Sequence, residues 1–402
     1  MKKIAVITSG LLPMPAVKGG AIETLLQYLI DYNEVNNDFE YEVYSIYNPD
    51  AEKASLKFKN TKFKYIKVNK VFNNIYFNIG RIARKLGYND PNFQKIYIKK
   101  VCNILKTQEY DLVLIESDNH FVLPVKKSCT SPIVLYLHND KLNDNVKNSK
   151  EIFNACLRIL TVSDYIKNRV LTVDKNEQKV VSILNGIDTE KFKIDNKEEI
   201  RNLMRDKYNI SKNDFVFLFT GRIEPNKGVL ELVQSFNMID KKHIKLVILG
   251  GSFFSSNKKT KYVKKLEEEI SRNSDNIITT GYVNHNDIAK YHIMSDCMVS
   301  PSLWEEPGSL VNQEAFASGL PLISSYSGGT PEYTKNTRSI LVKKDNNFIE
   351  NLSKEMSDLI DNKELQIEMK NAGIKESKYF SKERYCKDLA DFLKEVLKWK
   401  LQ

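Results

Sequence analysis

Short apolar runs alternate with amphipathic stretches along nearly the whole chain. In the first half the runs are Lys3–Thr8, Tyr41–Ile46, Asp111–Ile115, Ile133–His138 and Arg158–Ser163. In the second half they are Phe215–Thr220, Lys245–Leu249, Ile277–Thr280, Cys297–Ser300 and Pro321–Ser324. Most are continuous in Val, Ile and Leu, as strands buried on both faces of a parallel sheet are. Between them the pattern turns helical: residues 21, 22, 25, 26 and 29 make one apolar stripe over Ala21–Leu29. This alternation predicts an α/β chain with doubly wound sheets. It runs twice, and the polar, charge-rich stretch Gly186–Lys212 between the two runs reads as an interdomain linker.

Length supports two domains, since 402 residues exceed what a single core usually serves. With 42% hydrophobic and 28% charged residues the composition is that of a globular protein, which excludes disordered, collagen-like and coiled-coil chains. The five cysteines include no CxxC pair, so neither a zinc site nor a disulfide framework is expected and a reducing compartment is favoured. No apolar run reaches the roughly 18–20 residues that span a bilayer. Two lysines and an apolar stretch at the start resemble a signal peptide. Pro13, Pro15 and the lack of a small-x-small site instead favour a first buried strand at Ile4–Thr8, and a cytoplasmic protein.

Charge changes the picture in one place. Residues 51–106 carry 14 Lys and Arg against Glu52 and Asp90, an excess of +12, so the rest of the chain contributes −2 to the total of +10. Phe58, Phe63, Tyr65, Phe72, Tyr76 and Phe77 are interleaved with these cations. A solvated lysine-rich face, an anionic membrane surface and nucleic acid are the three readings, and no nucleic-acid motif accompanies the charge.

In doubly wound sheets, ligands bind beyond the C-terminal ends of the strands. After the first strand, Lys18-Gly19-Gly20 leads directly into a helix, where backbone N–H groups and the helix dipole can hold an anion. After Phe215–Thr220 comes Gly221-Arg222-Ile223-Glu224-Pro225-Asn226-Lys227-Gly228, in which a guanidinium and an ammonium can converge on a phosphate. The GxxxxGK[ST] of a P-loop is absent. Then follows Trp304-Glu305-Glu306-Pro307-Gly308-Ser309-Leu310-Val311-Asn312-Gln313-Glu314, with seven residues between Glu306 and Glu314. A helix starting near Ser309 and capped by Gly319 puts Glu314 in its second turn and Glu306 in the preceding loop. Two such carboxylates can each accept hydrogen bonds from vicinal hydroxyls, as on a ribose and a sugar ring, while the N–H groups of Ser309, Leu310 and Val311 face an anion.

In this order, with His138 after a strand, Asn185-Gly186-Ile187-Asp188, Gly281-Tyr282-Val283 and Ser327-Gly328-Gly329, the motifs resemble those of the retaining glycosyltransferases of family 4. The opening Leu12-Pro13-Met14-Pro15-Ala16-Val17-Lys18-Gly19-Gly20 looks closer to members associated with spore-coat and cell-surface polysaccharide synthesis in bacteria, capsule included. The resemblance implies the GT-B fold: two Rossmann-like domains facing across a cleft, here 1–190 for the acceptor and 191–382 for the nucleotide sugar, with a C-terminal helix at about 383–402 packing back on the first. It implies ribose binding by Glu314 and donor-sugar binding by Glu306. Arg222 and Lys227 would neutralise the diphosphate, helped by N–H groups at Gly19–Gly20 and over Gly308–Val311. Tyr282 and Val283 would frame the base, and His138 would sit near the transferred sugar. His120, His243, His285 and His292 read as structural or surface residues, with His120 placed to line an acceptor cleft. Glu306-Pro307-Gly308-Ser309 stands where the family often has Glu-x-Phe-Gly.

The expected reaction moves a hexose or N-acetylhexosamine from a nucleotide sugar, UDP first among nucleotides, to a glycan or lipid-linked acceptor. No cofactor is expected, and no metal, because the two cations can stabilise the leaving group themselves. Rival readings are a GT-B epimerase or phosphorylase and a non-catalytic sugar-nucleotide-binding protein. A lipid-linked acceptor would place the enzyme at the inner face of the plasma membrane, held by the basic segment.

Overall fold

The computed structural model describes residues 1–68, 92–251 and 261–399. The middle of the basic segment, with Phe72, Tyr76 and Phe77, lies outside these residues. The chain divides into two compact units, Met1–Asn185 with Glu383–Gln402, and Gly186–Lys382.

The first unit holds β1 (Lys2–Ile7), β2 (Phe39–Ile46), β3 (Thr61–Ile66), β4 (Leu112–Glu116), β5 (Ile133–Leu137), β6 (Arg158–Thr161) and β7 (Val180–Ser182). All pair in parallel, in the order β3-β2-β1-β4-β5-β6-β7. The central strands are apolar throughout because helices cover both faces: Ile4 to Ile7 and Leu112 to Ile115 have no exposed surface. The helix Lys382–Trp399 closes this unit. Arg384 donates to the carbonyls of Leu184 and Asn185 at 2.9 and 3.0 Å, and Tyr136 donates to the hydroxyl of Tyr385 at 3.2 Å.

The second unit holds β8 (Phe215–Thr220), β9 (Ile244–Leu249), β10 (Ile277–Gly281), β11 (Cys297–Ser300), β12 (Leu322–Ser325) and β13 (Ile340–Val342). They too are parallel, in the order β10-β9-β8-β11-β12-β13. In both sheets the strand order reverses beside the first strand, between β1 and β4 and between β8 and β11. Crossover connections diverge there and leave a crevice at the strand C-terminal ends.

The apolar runs anticipate ten of these strands and miss β3, β7 and β13. All three are edge strands. An edge strand needs no continuous apolar run, and in β3 Lys62 and Lys64 face solvent while Thr61 and Ile66 are buried.

The linker expected over Gly186–Lys212 is structured. Ile187 bridges to Ser381, and Lys197–Lys207 is a helix packed on the helix Ile288–Met294. Most of its charged residues are exposed, but two arginines serve the interior. Arg205 is almost wholly buried; it donates to the carbonyls of Met294 and Asp214 at 3.0 Å and to Asp296 at 2.7 Å. Arg201 donates to the carbonyls of Ile293 and Ser295 at 2.8 and 2.9 Å, and pairs with the same Asp296. Asp296 also accepts the N–H of Val216 at the start of β8. Removing Arg205 leaves Asp296 with Arg201 alone as cation and takes the donor from the buried carbonyls of Met294 and Asp214, so Arg205→Met is expected to lower stability by about 1–3 kcal/mol in urea unfolding. A change within about 0.5 kcal/mol, the norm for surface positions, would restore the linker reading.

Candidate functional site

In the second unit, three loops converge at the reversal of strand order. The loop after β8 makes a short turn at Pro225–Lys227 and enters the helix Val229–Asn237 through Gly228. Gly228 has φ 68°, and a Cβ there would lie 1.9 Å from the carbonyl oxygen of Pro301, so only glycine lets this loop lie against the one after β11. The carbonyl of Asn226 accepts the N–H groups of Leu303 and Trp304 at 2.9 and 3.4 Å. The loop after β12 completes the set: Ser327 Oγ accepts the N–H of Glu306 at 3.0 Å, and Gly329 N–H donates to the Glu306 carbonyl at 2.7 Å.

The side chain so fixed is a buried carboxylate. Lys227 Nζ and Ser302 Oγ both donate to Glu306 Oε1 at 2.5 Å. The ammonium of Lys227 also lies 5.3 Å from the centre of the Trp304 ring. Lys227 and Glu306 are thus brought together, whereas Arg222, more exposed, pairs with Glu224 at 3.0 Å. In this state the two cations are drawn to different carboxylates rather than to one point. The neighbouring Glu305 accepts from Lys344 at 2.6 Å and from Gly328 N–H at 2.5 Å. Burial pushes its carboxyl up, but these donors outweigh burial and hold it below the ordinary range.

Leu310–Ser318 forms the expected helix, with Ser309 as its N-cap residue and Gly319 left-handed at its end. No side chain caps its first turn, and Gly308 through Val311 are half-buried. Glu314 is buried in the second turn, with Oε1 3.6 Å from Nε2 of His285. That distance is too long for a hydrogen bond. Behind it, Ser318 Oγ donates to the Glu314 carbonyl at 2.8 Å and contacts His292 Nδ1 at 2.7 Å. Burial pushes His292 down to about 4, so this imidazole is neutral at physiological pH. Asn312 and Gln313 beside it are fully buried, their amide atoms without hydrogen-bond partners among the described residues. Tyr282 and Val283 follow β10; the Tyr282 ring is 84% exposed, an unusual position for so large an aromatic. Sequence reasoning set His285 aside with the other histidines; its contact with Glu314 joins the turn His285–Asp287 to the helix Leu310–Ser318 and has no local signature.

In the first unit, Gly20 precedes the helix Ala21–Asn36 with φ 102°, and Gly19 beside it is exposed. A Cβ on Gly20 would meet Glu23 Oε2 at 2.2 Å. The positive end of the helix is therefore answered by its own Glu23, a group the sequence reading did not weigh. Burial raises the Glu23 carboxyl, His138 opposes that shift and Glu116 adds to it, which places all three acids and bases in one neighbourhood. His138 directly follows β5, its Nε2 2.9 Å from Oε2 of Glu116 at the end of β4. His120 is exposed, and His243 is a surface residue 3.4 Å from Asp214. Among the described residues no group of three or more His, Cys, Asp and Glu side chains could hold a metal ion, and no helix is long and apolar enough to cross a membrane.

Comparison with known proteins follows the same division. Residues 200–376 match the family model of glycosyl transferases group 1. Over 350 residues the chain is 29% identical to the putative glycosyltransferase YtcC of Bacillus subtilis, covering 85% of this chain and 79% of that protein. It is 26% identical over 372 residues to spore coat protein SA of the same organism, covering 90% and 91%. Among solved structures, Anabaena HepE in complex with UDP-glucose superposes with a TM-score of 0.74 over 98% of this chain and all of that one, at 17% identity. Likeness at that identity speaks for the fold alone. The second unit thus carries a glycosyl transferases group 1 domain, in a chain with the paired α/β units of the GT-B glycosyltransferases.

Proposed function

We propose that this protein is a retaining, metal-independent glycosyltransferase that moves a hexose or N-acetylhexosamine from a UDP-sugar to a glycan or lipid-linked acceptor in cell-surface polysaccharide synthesis. The observation that carries the reading is the contact of half-buried Lys227 with buried Glu306 at the crevice of the second sheet. A donor diphosphate entering there offers Lys227 a better-matched anion, and Glu306, once released, is free to accept hydroxyls of the sugar. Arg222 exchanges Glu224 for the same diphosphate. Charge on the leaving oxygens peaks in the transition state, where two preplaced cations are most effective. Glu314 takes the ribose hydroxyls in place of its approach to His285, and the exposed ring of Tyr282, with Val283, borders the base. N–H groups from Gly308 to Val311 and at Gly19–Gly20 add to the anion's hold, and His138 accepts from the sugar.

UDP as the nucleotide is supported by HepE, whose structure contains UDP-glucose, and a cell-surface product by the kinship with a spore coat protein. Glu314→Ala is expected to weaken UDP binding by about 1–3 kcal/mol, the loss from a buried hydroxyl pair left without its acceptor, measured by isothermal titration. Unchanged UDP affinity would take Glu314 out of the site.

A location at the cytoplasmic face of an anionic membrane belongs to the same proposal. In the described part of the basic segment, Phe58, Phe63 and Tyr65 stand in a row with ring centres 5.5 and 6.2 Å apart. Lys57 lies over Phe58 and Lys67 over Tyr47, at 4.9 and 4.5 Å. Lys53, Lys59 and Lys64 are exposed, while Lys62 pairs with Glu40. Each cation near an anionic surface contributes about 1 kcal/mol, fading over roughly 8–10 Å. Vesicle co-sedimentation is expected to show binding to anionic vesicles at low salt that is lost at high salt. Equal pelleting with neutral vesicles, or none with either, would leave these lysines as a solvated face.

A further inference from the structure

The C-terminal ends of β4 and β5 hold polar groups of which that reading uses His138 alone. His138 and Glu116 have side chains only 5% and 3% exposed, with Nε2 and Oε2 2.9 Å apart. An ionised carboxylate can only accept, and a neutral imidazole carries a single N–H. With the carboxylate ionised and the imidazole neutral, the 2.9 Å contact puts the proton on Nε2 and leaves Nδ1 a lone pair. Nδ1 is buried and without a hydrogen-bond partner among the described residues.

The atoms around this chain position share that condition. Ser117 Oγ, Asp118 Oδ1 and Asn119 Oδ1, on the three residues directly after Glu116, are buried without partners, and so is Asn139 Oδ1 directly after His138. Ser117 takes φ 65°, a left-handed conformation that a non-glycine residue adopts at a cost. Its N–H still donates to Tyr136 at 2.7 Å, so the two strand ends stay locked side by side. The carboxyl and amide oxygens and Nδ1 are all acceptors, so what these atoms lack is donors. A ring carrying several hydroxyls supplies them; a phosphate, which only accepts, does not.

We infer that Glu116 is a positioning residue that holds His138 in the Nε2-protonated form and so presents Nδ1 as a hydrogen-bond acceptor to a sugar hydroxyl. The inference rests on the proposed function and deepens it. Glu116 touches no substrate; it acts through the imidazole. The other charged groups nearby are Glu23, from the first helix, and Lys141, 3.7 Å from Asp118 on its Oδ2 side.

The test is nitrogen NMR of protein labelled with 15N-histidine, with the His138 signals assigned by their absence from His138→Gln. Wild type is expected to show Nδ1 as an unprotonated, pyridine-like nitrogen and Nε2 as protonated. Glu116→Gln, whose carbonyl still accepts from Nε2–H, is expected to keep that signature and most of the activity. Glu116→Leu is expected to lose the signature and to lower kcat/KM on the order of tenfold to a hundredfold, the scale known for partners that orient metal-binding imidazoles. Affinity for UDP alone is expected to stay unchanged in both variants, because the two cations, the ribose carboxylate and the base contacts proposed for the nucleotide lie in the second unit, and the Gly19–Gly20 contacts of the first unit are main-chain N–H groups that neither substitution alters. A protonated Nδ1 in wild type overturns the inference, even if Glu116→Leu does not fold. So does a Glu116→Leu protein with wild-type signature and rate. Failure of wild type to bind UDP would instead count against the proposed function and leave the NMR result standing. Loss of UDP-sugar hydrolysis in Glu116→Leu would assign the hydroxyl to the transferred sugar; loss of transfer alone would assign it to the acceptor.

Discussion

A half-buried ammonium held on a buried carboxylate organises the second unit. Lys227 and Glu306 come from loops after neighbouring strands, and neither carboxylate nor ammonium would stay in such a place unpaired. Their meeting requires that the loops after β8, β11 and β12 pack backbone to backbone. Gly228 against Pro301, Asn226 against Leu303 and Trp304, and Gly329 against Glu306 do this work with main-chain atoms. Side chains are thereby left to face the crevice. Below them the Arg205–Asp296 network ties the helix Lys197–Lys207 to β8 and to the chain entering β11, so the two strands that carry the pair share one buried anchor.

The first unit solves a related problem with the signs exchanged. Its crevice collects acids, Glu23, Glu116 and Asp118, with His138 among them. Where the second unit pairs a carboxylate with a cation, this one keeps acceptors in excess and leaves several without partners among the described residues. Cations suit a diphosphate and acceptors suit hydroxyls, so under the proposed function each unit would serve a different part of the reaction.

Most of the fold was legible because central parallel strands announce themselves as unbroken apolar runs. The edges were not: β3, β7 and β13 need apolar residues on only part of their surface, and Thr61–Ile66 reads as charged. Gly186–Lys212 was misread for the converse reason. Arg201 and Arg205 are polar in composition yet spend their donors on buried carbonyls, which a hydropathy pattern cannot register. In the site, Glu306, Glu314, Arg222 and Lys227 stood out because motif glycines and helix caps surround them. Glu116 and His285 did not, since each acquires meaning only from a partner distant in sequence: His138 is 22 residues from Glu116, and Glu314 is on a different element from His285. Glu23 alone had a local signal, a carboxylate three residues after Gly20, where it meets the start of the helix.

The central claim is that Glu306 exchanges Lys227 for the donor sugar. Isothermal titration of Glu306→Ala with UDP and with the UDP-sugar that stabilises wild type tests it most directly. The account predicts that UDP binds the variant at least as tightly as wild type, because Lys227 is released, while the added affinity conferred by the sugar is lost. Equal weakening of UDP and UDP-sugar, or retention of the full sugar increment, would contradict it.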